Sequence, residues 1–298
     1  MRFVVIALLA SLPLAACSKE RTESINLINE GLTRESQGSR ESAYSIYLRA
    51  ATIDPQNHRA FFHLALMEMF DRNEAEKAVF HLEQAEALAP DDRDVMYHLG
   101  RYYATTPVPA VDKALSYLDA TLKLDPNYAP AHYHRGVALL ARDDFRAADL
   151  AFREAIACDP GYGLAYRDLG LLYERFDEDD VAMRVYEVGA DNAEDKIDIF
   201  NNLGQLLMRA GRVSDAVATF DKALRIGGAR HDTIFNLAFA HVENKQPRLA
   251  FEYLVEFINR ADMNQGEQIQ VAILLKEAMQ RELDKKRDLE EELKALDK

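Results

Sequence analysis

The sequence predicts an all-α chain, a solenoid of about seven helix-turn-helix repeats closed by a C-terminal capping helix, and three spacings predict it. A small residue recurs about every 34 positions, at Gly31, Ala65, Gly100, Gly136, Gly170, Gly204 and Ala238. An alanine follows twelve residues later at Ala43, Ala148, Ala182, Ala216 and Ala250, and after short insertions at Ala78 and Ala114. Four residues further on stands a large apolar or aromatic residue: Tyr47, Leu82, Leu118, Phe152, Tyr186, Phe220 and Leu254. A fixed period of this size marks stacked units, none of which buries its hydrophobic face alone.

Taken in order, residues 1–16 are a processing segment. Arg2 precedes an apolar stretch from Phe3 to Leu12, and Leu14-Ala15-Ala16-Cys17 follows. That stretch is far shorter than the ~20 apolar residues a bilayer-spanning helix needs, and its layout is that of a secretory signal. The Leu-Ala-Ala-Cys ending resembles the bacterial lipoprotein cleavage motif, which implies cleavage before Cys17 and lipidation of Cys17. Several acyl chains on one residue anchor firmly. Ser18 after that cysteine implies, by the lipoprotein sorting pattern, the outer membrane of the cell envelope, facing the periplasm. An ordinary signal peptide with an incidental cysteine is the alternative. Residues 17–23 are then the lipid anchor and a short linker, whose six residues after Cys17 reach ~20 Å if fully extended.

The 298 residues are 48% hydrophobic, enough for a substantial core, and the formal charge of -14 with no basic run excludes a general nucleic-acid binder. With Cys17 acylated, Cys158 has no partner for a disulfide and reads as a small packing residue.

The seven units tile as 24–57, 58–92, 93–128, 129–162, 163–196, 197–230 and 231–264. Their period, with small residues facing large ones, resembles the tetratricopeptide repeat, and that resemblance implies a right-handed α-solenoid with a concave binding surface. The small residue of the first helix lets the second approach closely. Pro55, Pro90, Pro126 and Pro160 end the second helices, since proline has no N–H to donate. The last three units depart from this, with Glu194, Gly228 and Asp262 in its place, and Leu27, Met96, His132 and Ile234 stand where the family has a large aromatic. Thr-Pro-Val-Pro at 106–109 is an insertion, read as a protruding turn. Residues 265–298 form the cap, with Ile269, Ala272, Ile273 and Leu275 on its apolar side, and a charged helical tail carrying Leu289, Leu293 and Leu296 at helical spacing. The tail is either solvated or a partner-binding helix.

Two residues before each small position stand Asn29, His63, His98, His134, Asp168, Asn202 and Asn236. The resemblance places this position on the concave side, where an asparagine in related superhelices grips the backbone of an extended peptide. Asn, Asp and His are weaker helix formers than Lys, Glu or Arg, so something offsets their use: a peptide-binding ladder, or hydrogen bonds between units. Tyr97, Arg101, Tyr133, Arg167, Asn201 and Gln205 flank these rungs and complete the candidate groove.

No phosphate loop, metalloprotease pair or nucleophile elbow occurs, and rungs 8 to 10 Å apart cannot share one metal ion. No catalytic residue, metal site or cofactor is expected, and the chain reads as a non-enzyme. Asp143-Asp144 and the acidic run at 177–180 read as helix-start caps and solvated turns. Anchor plus repeats resemble the lipoproteins that help assemble the secretin pores of type IV or Tad pili. The expected function is a membrane-anchored scaffold binding a protein or peptide segment of an envelope machine. Adapters of peptidoglycan enzymes share this layout, and a surface receptor for a small molecule or saccharide is the competing class.

Overall fold

The computed structural model describes residues 4–228, 230–260 and 266–296, with side chains described from residue 19 to residue 292 of these. Among the described residues there are fifteen helices and no strand. They are α1 (Val4–Ser36), α2 (Arg40–Ile53), α3 (His58–Phe70), α4 (Ala75–Leu88), α5 (Arg93–Thr105), α6 (Val111–Leu124), α7 (Ala129–Ala141), α8 (Phe145–Cys158), α9 (Gly163–Arg175), α10 (Asp179–Asn192), α11 (Ile197–Arg209), α12 (Val213–Gly227), α13 (His231–Glu243), α14 (Pro247–Arg260) and α15 (Gly266–Leu296). The chain forms two compact units, residues 1–148 and 149–298.

Within each pair the small residue of the first helix receives the large residue of the second. A Cβ on Gly31 would lie 2.3 Å from the Tyr47 ring, on Gly170 2.1 Å from Tyr186, and on Gly204 2.4 Å from Phe220. Alanine is accepted at Ala65 and Ala238, where the fourth-position partners are the leucines Leu82 and Leu254. Tyrosine brings a hydroxyl into this contact, and a buried hydroxyl needs a partner. Four residues after the glycine a glutamate supplies it: Tyr47 Oη donates to Glu35 at 2.9 Å, and Tyr186 Oη donates to Glu174. Pairs closed by Phe or Leu carry Met69, Ala104, Leu140, Met208 or Val242 at that place.

The turns inside the pairs share one geometry. Gly38, Asn73, Asp143, Asp177, Gly211 and Lys245 all take the left-handed conformation, with φ between 54° and 76°. Each is followed by a residue whose N–H reaches back into the last turn of the preceding helix, as Asp144 N does to Leu139 O at 3.0 Å and Glu178 N to Tyr173 O at 3.0 Å. These bonds close the first helix with a Schellman motif. The helix-start reading is therefore corrected at Asp143 and Asp177, which end helices; Asp144 does cap α8, accepting from Ala147 N at 3.2 Å. The inserted pair turns through residues 106–110, where Val108 stands 86% exposed.

Residues 18–23 continue the helix of α1. At 1.5 Å per helical residue those six positions span ~9 Å, less than the ~20 Å they would reach fully extended. The side chain of Cys17 lies outside those described, as do the signal-segment side chains. No helix of the described residues is long and apolar enough to cross a membrane. Second helices end two residues before Pro55, Pro90, Pro126 and Pro160. Where proline is missing after α10, Ala193 is buried and Glu194 N bonds to Gly161 O at 2.9 Å. Cys158 is a free, partly buried thiol. At the C-terminal end α15 is one continuous helix whose Ala272 and Met279 pack, with Ile269 and Leu275, over Leu254 and Phe257 of α14.

Candidate functional site

In the first unit the rung positions of α1, α3, α5 and α7 grow more buried along the chain, and those of α3, α5 and α7 sit among aromatic rings. Asn29 is exposed, His63 and His98 are half-buried, and His134 is buried. The His63 ring stacks on Tyr47 with centroids 5.0 Å apart. His98 is surrounded by Tyr97 at 4.9 Å, Phe62 at 5.6 Å and Phe70 at 6.0 Å. Burial, reinforced by Arg59 for His63 and by Arg101 for His98, pushes both imidazoles down to about 4. They are neutral near pH 7, and His98 Nδ1 is buried with no hydrogen-bonding partner among the described residues. Arg101 lies over the Phe70 ring at 4.6 Å.

Three first-unit assignments to an open groove are corrected. His134 donates from Nδ1 to Pro130 O at 2.8 Å, one turn back on its own helix. Tyr97 and Tyr133 are each only 6% exposed. They sit one residue before the rung, on the side of the helix that packs between repeats, and Tyr97 meets Tyr128 edge-to-face at 5.0 Å.

The second unit handles the same positions with directed bonds. Arg167 Nε donates to Asp168 Oδ1 at 2.7 Å, so the flanking residue answers the rung, and Asp198 continues the ion pairing to Arg230 at 2.8 Å. Asn201 is 5% exposed and donates from Nδ2 to Thr233 Oγ1 at 3.0 Å, joining α11 to α13. Its place in the groove is corrected as well, because hydrogen bonding between repeats holds it. Asn202 is half-buried, and the Tyr186 hydroxyl near it donates to Glu174; burial and that carboxylate strongly suppress its acidity.

Gln205 and Asn236 meet in a cleft of about 360 Å³. Phe220, Phe235 and Phe239 form its apolar walls, Met208 and Arg209 its α11 side, and Val271 of the capping helix also lines it. Asn236 Nδ2 is buried and has no hydrogen-bonding partner among the described residues. A buried amide left in that state costs about 1–3 kcal/mol. Phe239 and Val271 remain 42% and 45% exposed. Arg209 is engaged with Glu174 and lies 3.8 Å from Asp179, so the charge at this cleft is balanced. A cleft of about 440 Å³ beside α8, α9 and α10 is larger, lined by Ile156, Val181, Val185 and Val188 with Arg153 and Arg184. It holds none of the orphaned polar atoms found in the described residues.

The sequence reading missed Arg209, Phe220 and Val271 as cleft residues. The period of 34 marks Phe220 as packing, and nothing in the pattern ties Val271 to a repeat. Glu68 was missed too: it is fully buried, accepting from Tyr44 Oη at 3.0 Å and from His81 Nδ1 at 2.7 Å. Among the described residues no group of His, Cys, Asp and Glu is arranged to hold a metal ion.

Stacked helix pairs with side chains directed into clefts define a repeat-built binding scaffold. The tetratricopeptide repeat family model matches residues 68–129 and 110–163, and a second tetratricopeptide model matches 197–226. The repeats within 68–163 and 197–226 are tetratricopeptide repeats. Among curated relatives, the tetratricopeptide repeat protein 30 homologue of Drosophila pseudoobscura is 36% identical over 70 residues, 24% of this chain. The match spans only 11% of that relative's length. A tetratricopeptide repeat protein from Parabacteroides merdae aligns over 87% of this chain and 99% of its own, at 13% identity and a TM-score of 0.60. Pseudomonas aeruginosa pilF aligns over 76% of this chain and 99% of its own, at 16% identity and 0.59. PilW, a type IV pilus biogenesis factor, aligns over 84% and 98%, at 17% identity and 0.51. At these identities the likeness is one of fold, an all-α repeat scaffold suited to binding protein.

Proposed function

We propose that this chain is a lipid-anchored adapter of the bacterial envelope that captures an extended peptide segment of a protein partner in the cleft between α11, α13 and α15. The observation that carries the reading is the buried, unpartnered amide of Asn236 within aromatic walls. A peptide carbonyl would satisfy that donor, the exposed amide of Gln205 offers a second polar contact, and an apolar ligand side chain would cover Phe239. The envelope setting is supported by the Leu14 to Cys17 pattern, and an assembly role by the shared fold of PilW. A photo-crosslinking residue at Phe239 in living cells tests the reading. The expected product joins this chain to an envelope protein, and Asn236→Leu in the same chain removes it. No crosslinked protein, or one indifferent to Asn236→Leu, overturns the cleft as the capture site. For the anchor, Cys17→Ala should move the chain from the membrane fraction to the soluble one.

A further inference from the structure

The turn from α2 to α3 is pinned to α1 by a chain of buried bonds. Ser24 Oγ donates to Ala50 O at 2.8 Å, and Asn57 Nδ2 donates to Ser24 Oγ at 2.9 Å. Both residues are buried, so these bonds are shielded from water and hold the turn in place. Beside them opens a cleft of about 430 Å³, lined by Arg21 and Ile25 of α1, Asp54 and Asn57 of the turn, and His58 and Arg59 of α3.

The charge of this cleft is out of balance. The chain holds 50 acidic residues against 36 lysines and arginines, so a guanidinium finds a carboxylate easily, as Arg72 does with Glu41 at 2.9 Å and Arg230 with Asp198 at 2.8 Å. The side chains of Arg21 and Arg59 make no ion pair or hydrogen bond among the described residues. His58 lies 3.4 Å from Asp92, and Asp54 accepts from Gln56 N at 3.0 Å. One carboxylate in the cleft therefore stands against two unanswered guanidinium groups. Glu20 and Glu23 are exposed at about 100° and 160° round the helix from Arg21. A guanidinium holds a phosphate through two parallel N–H···O bonds, a geometry that suits it better than a compact ammonium. Ile25, still 42% exposed, adds an apolar wall beside the two charges.

The occupant follows from where the cleft sits. Arg21 stands four residues after Cys17 on one continuous helix, and Ile25 four further on. At 1.5 Å per residue they lie about 6 and 12 Å along the axis from Cys17, whatever the tilt of the helix. The headgroup layer of one leaflet is ~5–8 Å deep, so a lipid on Cys17 brings the cleft within reach of its neighbours' phosphates. We propose that this cleft is a phospholipid headgroup site, in which Arg21 and Arg59 hold the phosphate of a lipid beside the anchor and Ile25 meets its upper carbons. The site rests on the lipid-anchor reading and deepens it, because it holds one edge of the first repeat against the bilayer although the chain as a whole is acidic.

The chain contains no tryptophan, so Ile25→Trp places a reporter in this cleft alone. For the test, the chain from Cys17 onward, carrying Ile25→Trp and Cys158→Ser, is coupled through Cys17 to a maleimide lipid. The vesicles are phosphatidylcholine with phosphatidylglycerol, a portion of the lipid bearing a nitroxide on its headgroup. The nitroxide should quench the tryptophan, and Arg21→Gln with Arg59→Gln should reduce that quenching roughly threefold or more. Added salt should weaken it in the same direction. Both arginines are exposed, and far-ultraviolet circular dichroism checks that the repeats stay folded. Quenching that is absent, or indifferent to the two arginines, overturns the inference. Quenching removed by millimolar inorganic phosphate at constant ionic strength assigns the cleft to free phosphate and overturns it as well. Because the tether is supplied chemically, the result does not depend on lipidation in cells, which the Cys17→Ala fractionation decides separately.

Discussion

In the first unit the residues two before the small position are an asparagine and three histidines; in the second they are an aspartate and two asparagines. The repeat is the same, but the two units meet the cost of half-burying a polar group differently. The first places imidazoles among aromatic rings and keeps those of His63 and His98 neutral, which titration can reverse. The second uses carboxylate and amide groups, which have no neutral refuge at pH 7 or need a directed partner. Arg167 supplies that partner for Asp168, and beside the rungs Thr233 supplies one for Asn201 Nδ2, whose Oδ1 has none among the described residues. Asn236 is the rung of this unit whose buried Nδ2 has no partner among the described residues, and it lines a cleft.

The largest expected effect concerns a contact both units share, and it would break the comparison if the units answered differently. Gly170→Ala drives a methyl into the Tyr186 ring, as Gly31→Ala does into Tyr47. Each should cost about 3 kcal/mol by denaturant titration. Tyr186→Leu in the Gly170→Ala background should recover much of the loss, because Ala65 and Ala238 already pair with leucine.

Acid comes next and should separate the units. His63 and His98 titrate near 6.5 when unfolded but only at about 4 when folded, so the unfolded chain binds more protons between those values. Their contribution to stability is intact above pH 6.5 and is lost as pH falls towards 4. The slope is about 1.4 kcal/mol per pH unit for each histidine once the pH is below its unfolded value. Hydrogen-exchange protection factors across α3 and α5 should therefore fall on acidification, and His98→Phe should remove about half of the slope.

A smaller effect belongs to the second unit alone. Thr233→Val strands the Asn201 amide and should cost about 1–3 kcal/mol, whereas adding Asn201→Leu should return stability close to wild type. Smallest of all, Asn236→Leu removes an amide that no neighbour satisfies. It should leave thermal stability unchanged or raise it by up to about 1 kcal/mol, while abolishing the Phe239 crosslink. Loss of stability there would mean that the amide has a structural partner after all.

Much of this was legible in the chain before folding. The spacing of Gly31 to Ala238 located every helix pair, because close helix approach depends on residue size, which a sequence states directly. Pro55 and its three counterparts ended helices for an equally local reason. The groove was less legible. Tyr97, Tyr133 and Asn201 lie one residue before a rung, and a rotation of 100° carries each into packing between repeats; His134 is a rung itself, yet it is buried with its Nδ1 on Pro130 O. A linear pattern names the residue but not which neighbour its polar atom will meet.

Residue size and period by themselves determined the all-α repeat and its cap, since these follow from steric fit between positions a fixed distance apart. Which polar side chains are satisfied was decided only by the tertiary structure. Hydrogen bonds such as Asn201 to Thr233 join residues about one repeat apart with angular tolerances that no spacing encodes. The open amide of Asn236 and the arrival of Val271 beside it exist only once α11, α13 and α15 are packed together.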